Sequence, residues 1–137
     1  MKDIENRTDI INLMNAFYSK ALNDETIGYI FTDVAKLDLE HHLPIIVDFW
    51  EMILFGTVNF QEKYQRSPMQ KHIELNNKEP LISEHFDTWL KLFYATVDEM
   101  FSGEKADTIK YRAKAIANTM FMKVSQDNRG GVPVGRE

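Results

Sequence analysis

The sequence predicts an all-α domain, for three reasons. Apolar residues recur at intervals of three and four along four long segments, which is the pattern of the buried face of an amphipathic helix. No run of four to eight residues alternates clearly between apolar and polar side chains, as a half-buried strand would. Prolines and glycines flank several of these segments, where helices begin and end.

Length and composition limit the class of protein. The 137 residues suffice for one domain with a core, but hardly for two. A net charge of -5 leaves no basic surface of the kind that neutralises phosphates, so nucleic acid is not expected as a partner. The chain has no cysteine, which fits a reducing cytoplasm, and its acidic N-terminus does not resemble a secretory signal. We therefore expect a cytoplasmic protein.

The first helix is predicted to run from Thr8, which suits an N-cap, to about Leu22. Its apolar face is formed by Ile10, Leu13, Met14, Phe17 and Ala21. Tyr18 lies on the adjoining ridge, so its ring should be buried and its hydroxyl then needs a partner. A tyrosine that reaches solvent at the edge of the core is the alternative. A short apolar cluster at 27–31, which includes Phe31, predicts a corner that covers the core.

The most apolar stretch, LEHHLPIIVDFWEMILFG at 39–56, predicts a central helix. Asp48 and Glu51 interrupt the run, which falls short of the roughly 18 apolar residues of a membrane span, so no membrane insertion is expected. Because proline is tolerated only in the first turn, Pro44 places the start of the helix near residue 40. The final glycine of the stretch predicts its end.

A histidine lies on the apolar face of this helix. His42 shares a stripe with Ile45, Ile46, Phe49 and Ile53. A lone histidine in such a place is more often a satisfied core residue than a ligand. A second histidine, His72, lies between Met69 and Leu75 on one side of a short helical segment that is predicted to begin at Pro68.

Two long helices are predicted to follow. Ser83 is expected to cap the first, whose apolar face is formed by Phe86, Trp89, Leu90, Phe93, Val97 and Met100. The last helix is predicted from about Glu104 to Val124. The segment 125–137 contains two consecutive glycines and a proline and few apolar residues, so we expect a domain over 1–124 with a flexible C-terminal tail.

Two inward histidines on helices suggest a cofactor pocket. A haem pocket needs an axial imidazole, a flat apolar cleft, and polar groups aimed at the opposite face of the iron. His72 is the candidate ligand. The candidate walls are Phe31, Ile46, Phe49, Ile53, Phe86 and Phe93, and the candidate polar groups are Tyr18, His42 and Trp89. The spacings that are typical of zinc, calcium, di-iron and phosphate sites are not found in the sequence.

Six segments, taken in order, resemble the group III truncated haemoglobins, a bacterial family of shortened globins with a two-over-two helical sandwich around haem. They are AFY at 16–18, IF at 30–31, HLP at 42–44 with DFW at 48–50, KH at 71–72 after Pro68, HFDTWL at 85–90 and VDEMFSG at 97–103. The resemblance spans about residues 5–122. It implies that haem b is the cofactor and that His72 is its proximal ligand. It also implies that Tyr18, His42 and Trp89 form the distal set.

The resemblance also assigns residues around the haem. The predicted cofactor-binding residues are Phe31, Ile46, Phe49, Ile53, Met69, Lys71, Phe86 and Phe93. One departure is Arg66, which stands where the family often has glycine, so the loop before His72 is expected to run differently. Arg66 or Lys71 either reaches a haem propionate or is solvated. His85 is interpreted as structural or as close to a propionate, not as an axial ligand.

The resemblance implies a protein that reversibly binds O2, NO and other diatomic ligands. Because several distal donors would slow the release of O2, we favour oxygen and nitric oxide redox chemistry or peroxide reduction, with a reductase as partner, over oxygen delivery. Whether the protein is an enzyme, as a nitric oxide dioxygenase or a peroxidase, stays open. The alternatives are a haem-based sensor or store without turnover, and a cofactor-free helical interaction module.

Overall fold

The computed structural model describes residues 1–57, 59, 63, 74–76, 78 and 80–130, with side chains to residue 126. Four long helices make up most of this part: α1 (Arg7–Ala21), α2 (Leu39–Phe55), α3 (Ser83–Met100) and α4 (Glu104–Gly130). A π-helical turn at Ile30–Val34 forms the corner between α1 and α2. The described residues include no strand, and the predicted all-α class is confirmed.

The four helices form two crossed pairs. Helix α1 packs on α2 and α3, and α4 packs on the same two helices from the other side. Each helix contributes to a shared core side chains that are at most 1% exposed, among them Phe17, Val47, Phe93 and Ile109. This is the two-over-two sandwich that the resemblance implies. Within the described ranges, no helix combines the length and the apolar content that crossing a bilayer requires.

Two predicted helix caps were wrong. The N-cap of α1 is Asn6, whose side-chain oxygen accepts a hydrogen bond from the backbone N–H of Asp9 at 3.0 Å, and Thr8 lies inside the first turn. The N-cap position of α3 is Ile82, and Ser83 is the first helical residue. Because isoleucine has no polar side chain, this helix start relies on another residue for its hydrogen bonds.

The ends of α2 and α4 also refine the prediction. Helix α2 begins at Leu39, slightly before the predicted start, and Pro44 therefore lies just past the first turn. It ends at Gly56, whose φ of 68° is left-handed, as predicted.

Helix α4 continues to Gly130, so the predicted end at Val124 was wrong. The segment 125–129 contains no glycine or proline to stop the helix. The flexible tail stays a prediction for 131–137, which lie outside the described residues.

Asp3 fastens the N-terminal segment to the start of α4. Its carboxylate accepts hydrogen bonds from the backbone N–H groups of Lys105 and Ala106, both at 2.8 Å. Gly103 lies against it with a φ of 141°, and a Cβ there would come within 2.6 Å of the Asp3 carboxyl carbon. Burial opposes ionisation of Asp3, but these two N–H groups and that of Ile4 outweigh it, so the pKa of Asp3 lies below its usual value.

Asp3→Ala should lower the free energy of unfolding at neutral pH by about 0.5–2 kcal/mol, because the first N–H groups of α4 lose their acceptor. A carboxyl group whose pKa is lower in the folded state stabilises the fold above its unfolded pKa, and this contribution is lost as the pH falls through the folded pKa. The difference between wild type and variant should therefore shrink below about pH 4. Urea unfolding between pH 3 and pH 7, with the exposed Asp87→Ala as control, measures this. An equal loss in both variants would contradict the assignment.

Candidate functional site

The polar centre of the site is a hydrogen-bonded tyrosine and histidine. The hydroxyl oxygen of Tyr18 lies 2.9 Å from Nε2 of His42, and the two rings meet edge-on with centroids 5.6 Å apart. Tyr18 comes from the last turns of α1 and His42 from the start of α2, so the crossing of these helices brings the two side chains together. The Tyr18 side chain is buried and its hydroxyl has a partner, as the sequence predicts.

Burial keeps the Tyr18 side chain a neutral phenol. Removal from water raises the pKa of Tyr18 well above its ordinary value near 10. A neutral phenol retains an O–H group that can donate to His42 or to a ligand, while the tautomer of His42 decides which of the two donates in their shared bond. The ring of Phe31, from the π-helical turn, meets Tyr18 edge-on at 5.9 Å and covers it from the corner.

Trp89, the third predicted polar group, is held by two phenylalanines. Its ring stacks on Phe93 with centroids 5.2 Å apart and planes 5° apart. Phe17 meets Trp89 edge-on at 5.5 Å and Tyr18 edge-on at 5.1 Å. Phe17 thus lies between two of the three predicted distal residues, and His42 is bonded to one of them. The structure therefore brings Tyr18, His42 and Trp89 around one region.

Helix α2 divides its apolar side chains between a closed core and an accessible face. Val47, Trp50 and Leu54 are at most 5% exposed. The neighbouring stripe of the same helix is only partly buried and consists of His42, Ile46, Phe49 and Ile53. On the facing elements, Phe31, Phe86 and Trp89 are also partly buried. Accessible apolar side chains that border a few polar groups are typical of a small-molecule site.

Some predicted site residues lie elsewhere or outside the described residues. Phe93, predicted as a wall, is completely buried and stacks on Trp89, and its part in cofactor binding stays a prediction. Met69, Lys71, His72 and Arg66 lie outside the described residues. The proximal ligand and any contact with a propionate therefore stay predictions.

A contact between Tyr29 and His85 was not predicted. Nδ1 of His85 accepts a hydrogen bond from the backbone N–H of Ile82 at 3.1 Å, and its Nε2 lies 3.3 Å from the Tyr29 hydroxyl. Because Nδ1 accepts, a neutral His85 carries its proton on Nε2 and donates it to Tyr29. His85 thereby caps α3 and ties it to the corner before Phe31. The sequence signal for this cap is an isoleucine, which has no polar side chain, at the N-cap position 82, followed three residues later by a histidine that can accept the hydrogen bond.

A buried ion pair at Asp48 was also missed. The Asp48 side chain is 3% exposed, and its carboxylate accepts hydrogen bonds from Arg7 at 2.6 Å and Lys63 at 2.8 Å. Arg7 also bonds to Glu51 at 2.7 Å. These contacts join α1, α2 and the chain that follows α2. An acidic residue inside the most apolar stretch of the chain is the available sequence signal.

Two crossed helix pairs with a tyrosine, a histidine and a tryptophan beside an accessible apolar face are the architecture of a truncated globin. A scan against models of protein families finds no match. The protein "Group 3 truncated hemoglobin ctb" of Campylobacter jejuni subsp. jejuni serotype O:2 is 31% identical over 116 residues, which cover 82% of this chain and 86% of that protein. The crystal structure of group III truncated hemoglobin from Campylobacter jejuni superposes with a TM-score of 0.76 at 30% identity and covers 90% of this chain and 95% of that one. The chain belongs to the group 3 truncated haemoglobins.

The family implies a haem cofactor, and the described residues fit one. Haem has a flat apolar face, and the partly buried stripe of α2 is apolar apart from His42 and has aromatic side chains at its borders. The indole N–H of Trp89 has no hydrogen-bond acceptor within the described part of the chain, so it remains available to a ligand. Apolar walls with a few convergent donors suit a porphyrin that binds small ligands on its iron.

Tyr18 should ionise only well above pH 10, because its raised pKa keeps the phenol protonated where an ordinary tyrosine loses its proton. An alkaline titration of tyrosinate absorbance, compared between wild type and Tyr18→Phe, isolates the signal of this residue. Expressed per mole of protein, the two curves should coincide up to pH 10, because Tyr18 contributes no tyrosinate there. A difference that develops below pH 10 would mean that Tyr18 is not buried as described.

Proposed function

We propose that this chain binds haem b with His72 as the proximal ligand and that Tyr18, His42 and Trp89 face the ligand side. When bound, the haem supplies an iron at which O2, NO and other diatomic ligands bind. The observation that carries the proposal is the hydrogen bond of 2.9 Å between Tyr18 and His42, which lies at one end of the partly buried stripe of α2. The truncated haemoglobin relatives support the same cofactor.

The three polar side chains have different capacities. Tyr18 and Trp89 each carry one donor on a large apolar ring, and aromatic contacts restrict how that ring can turn. His42 is partly exposed at the start of α2, so it can donate to a ligand or swing outward as a gate. A donor that faces a diatomic ligand stabilises the partial negative charge that O2 acquires on binding.

The number of donors favours redox chemistry over oxygen delivery. A neutral hydrogen bond contributes about 0.5–1.5 kcal/mol net, so two donors would slow the release of O2 by roughly ten- to a hundredfold. Slow release suits a protein in which bound O2 reacts, for example with NO, or one in which the site reduces peroxide. Such a reaction needs a source of electrons, so we infer a reductase as partner. We also infer a cytoplasmic location, in keeping with the absence of cysteine.

Haemin added to the purified protein should give a Soret band, and His72→Ala should lose or strongly weaken it, because the iron loses its axial imidazole. Absorbance spectra of the ferric, ferrous and carbonyl forms measure this. His41→Ala is the matched control, since His41 is exposed on α2. An unchanged set of spectra in His72→Ala would contradict the proximal assignment.

Tyr18→Phe and Trp89→Phe should each speed up O2 dissociation from the ferrous protein by about two- to tenfold, because each removes one donor. Stopped-flow displacement of O2 by carbon monoxide measures the rate. Tyr111→Phe, on the exposed face of α4, removes a hydroxyl far from these contacts and should leave the rate unchanged. Wild-type rates in both distal variants would remove Tyr18 and Trp89 from the proposed role.

A further inference from the structure

We propose that Trp50 is a positioning residue for the ligand site: through Phe93, it fixes the orientation of the Trp89 indole. This inference rests on the proposed function, in which Trp89 donates a hydrogen bond to the ligand. Trp50 itself is 3% exposed and belongs to the closed stripe of α2, not to the accessible one. Its effect on the ligand would therefore be indirect.

Three rings form a continuous stack from Trp50 to Trp89. Phe93 and Trp89 are one turn apart on α3, and their planes differ by 5° at a centroid distance of 5.2 Å. Phe93 also stacks with Trp50 of α2, with planes 22° apart and centroids 5.6 Å apart. Because closely packed rings cannot tilt far without displacing the rings they contact, we expect a rotation of Trp89 to displace Phe93 and, through it, Trp50.

The middle ring has no free space in which to adjust. Phe93 is 0% exposed, and Phe17 of α1 meets it edge-on at 5.4 Å in addition to the two stacked indoles. Side chains from α1, α2 and α3 thus enclose the ring of Phe93. Trp50 is the member of the stack that belongs to α2, the helix that also carries His42. The stacked rings therefore link the orientation of the Trp89 indole to α2, the helix that carries His42.

Among the described residues, Trp89 has no stacked ring on its accessible side. Trp89 is only partly buried, and its indole N–H bonds to nothing within the residues that the structure describes. Its contacts with Phe93 and Phe17 therefore determine where the N–H points. A residue smaller than tryptophan at position 50 would leave space into which Phe93 could tilt, and Trp89 would follow it.

The chain offers a direct readout of this motion because it contains only two tryptophans, Trp50 and Trp89. Trp50→Leu and Trp50→Phe both leave Trp89 as the single fluorescent indole. In haem-free protein, time-resolved anisotropy should detect a larger amplitude of fast local motion of Trp89 in Trp50→Leu than in Trp50→Phe, which keeps a ring in the stack. Equal amplitudes in the two variants would contradict the positioning role.

In the haem-loaded protein, a double-mutant cycle tests the route of the effect. Trp50→Leu should speed up O2 dissociation by two- to fivefold and shift the infrared stretching band of bound carbon monoxide. Neither change should occur when Trp50→Leu is added to Trp89→Phe. Leu54→Ala, one turn along the same buried stripe, controls for general loss of packing and should leave the band in place.

The outcomes separate the two proposals. An effect of Trp50→Leu that persists in the Trp89→Phe background would overturn the positioning role, as would a wild-type rate and band in Trp50→Leu alone. If Trp89→Phe itself leaves the rate and the band unchanged, the distal role of Trp89 is lost, and with it the functional part of this inference. Thermal unfolding curves for each variant establish that the compared proteins are folded.

Discussion

Helix α2 carries two apolar stripes, of which one is buried in the core and the other only partly buried, and the site depends on this difference. The stripe of Val47, Trp50 and Leu54 is closed into the core, whereas the stripe that begins at His42 stays partly accessible. Accessible apolar surface costs about 25 cal/mol per Å² relative to burial, so a flat apolar cofactor that covers this face would stabilise the protein as it binds. The partly buried stripe thus contributes less to the stability of the fold than the buried one, and it provides the apolar surface for binding.

The core of the sandwich and the site share their aromatic rings. Phe17 contacts Tyr18, Trp89 and Phe93, so one buried ring of α1 borders two polar groups of the site and the stack behind it. Helices hold these groups, and the ion pairs of Asp48 and the cap formed by His85 fix where the helices meet. Polar groups on packed helices keep their geometry better than groups on loops, which is what selective stabilisation of a ligand requires.

The helices and the buried, partnered hydroxyl of Tyr18 could be predicted from the sequence, but the depth of other side chains and the long-range polar contacts could not. Helical spacing places Phe86, Trp89 and Phe93 on one face of α3. It does not show that Phe93 is the one of these three that contacts rings of both α1 and α2. The pairing of Arg7 with Asp48 joins residues that are 41 positions apart, and no local pattern specifies it. The cap of α1 was misplaced because asparagine and threonine at positions 6 and 8 both suit an N-cap.

The most direct test of the account is a titration of the haem-free protein with haemin, followed by Soret absorbance and tryptophan fluorescence together. The account predicts that both signals saturate at one haemin per chain, because Trp89 borders the face that the porphyrin would cover and its emission would be quenched. A preparation that stays colourless would contradict it. So would a Soret band that develops while the tryptophan emission stays constant, since the haem would then lie away from the partly buried stripe of α2.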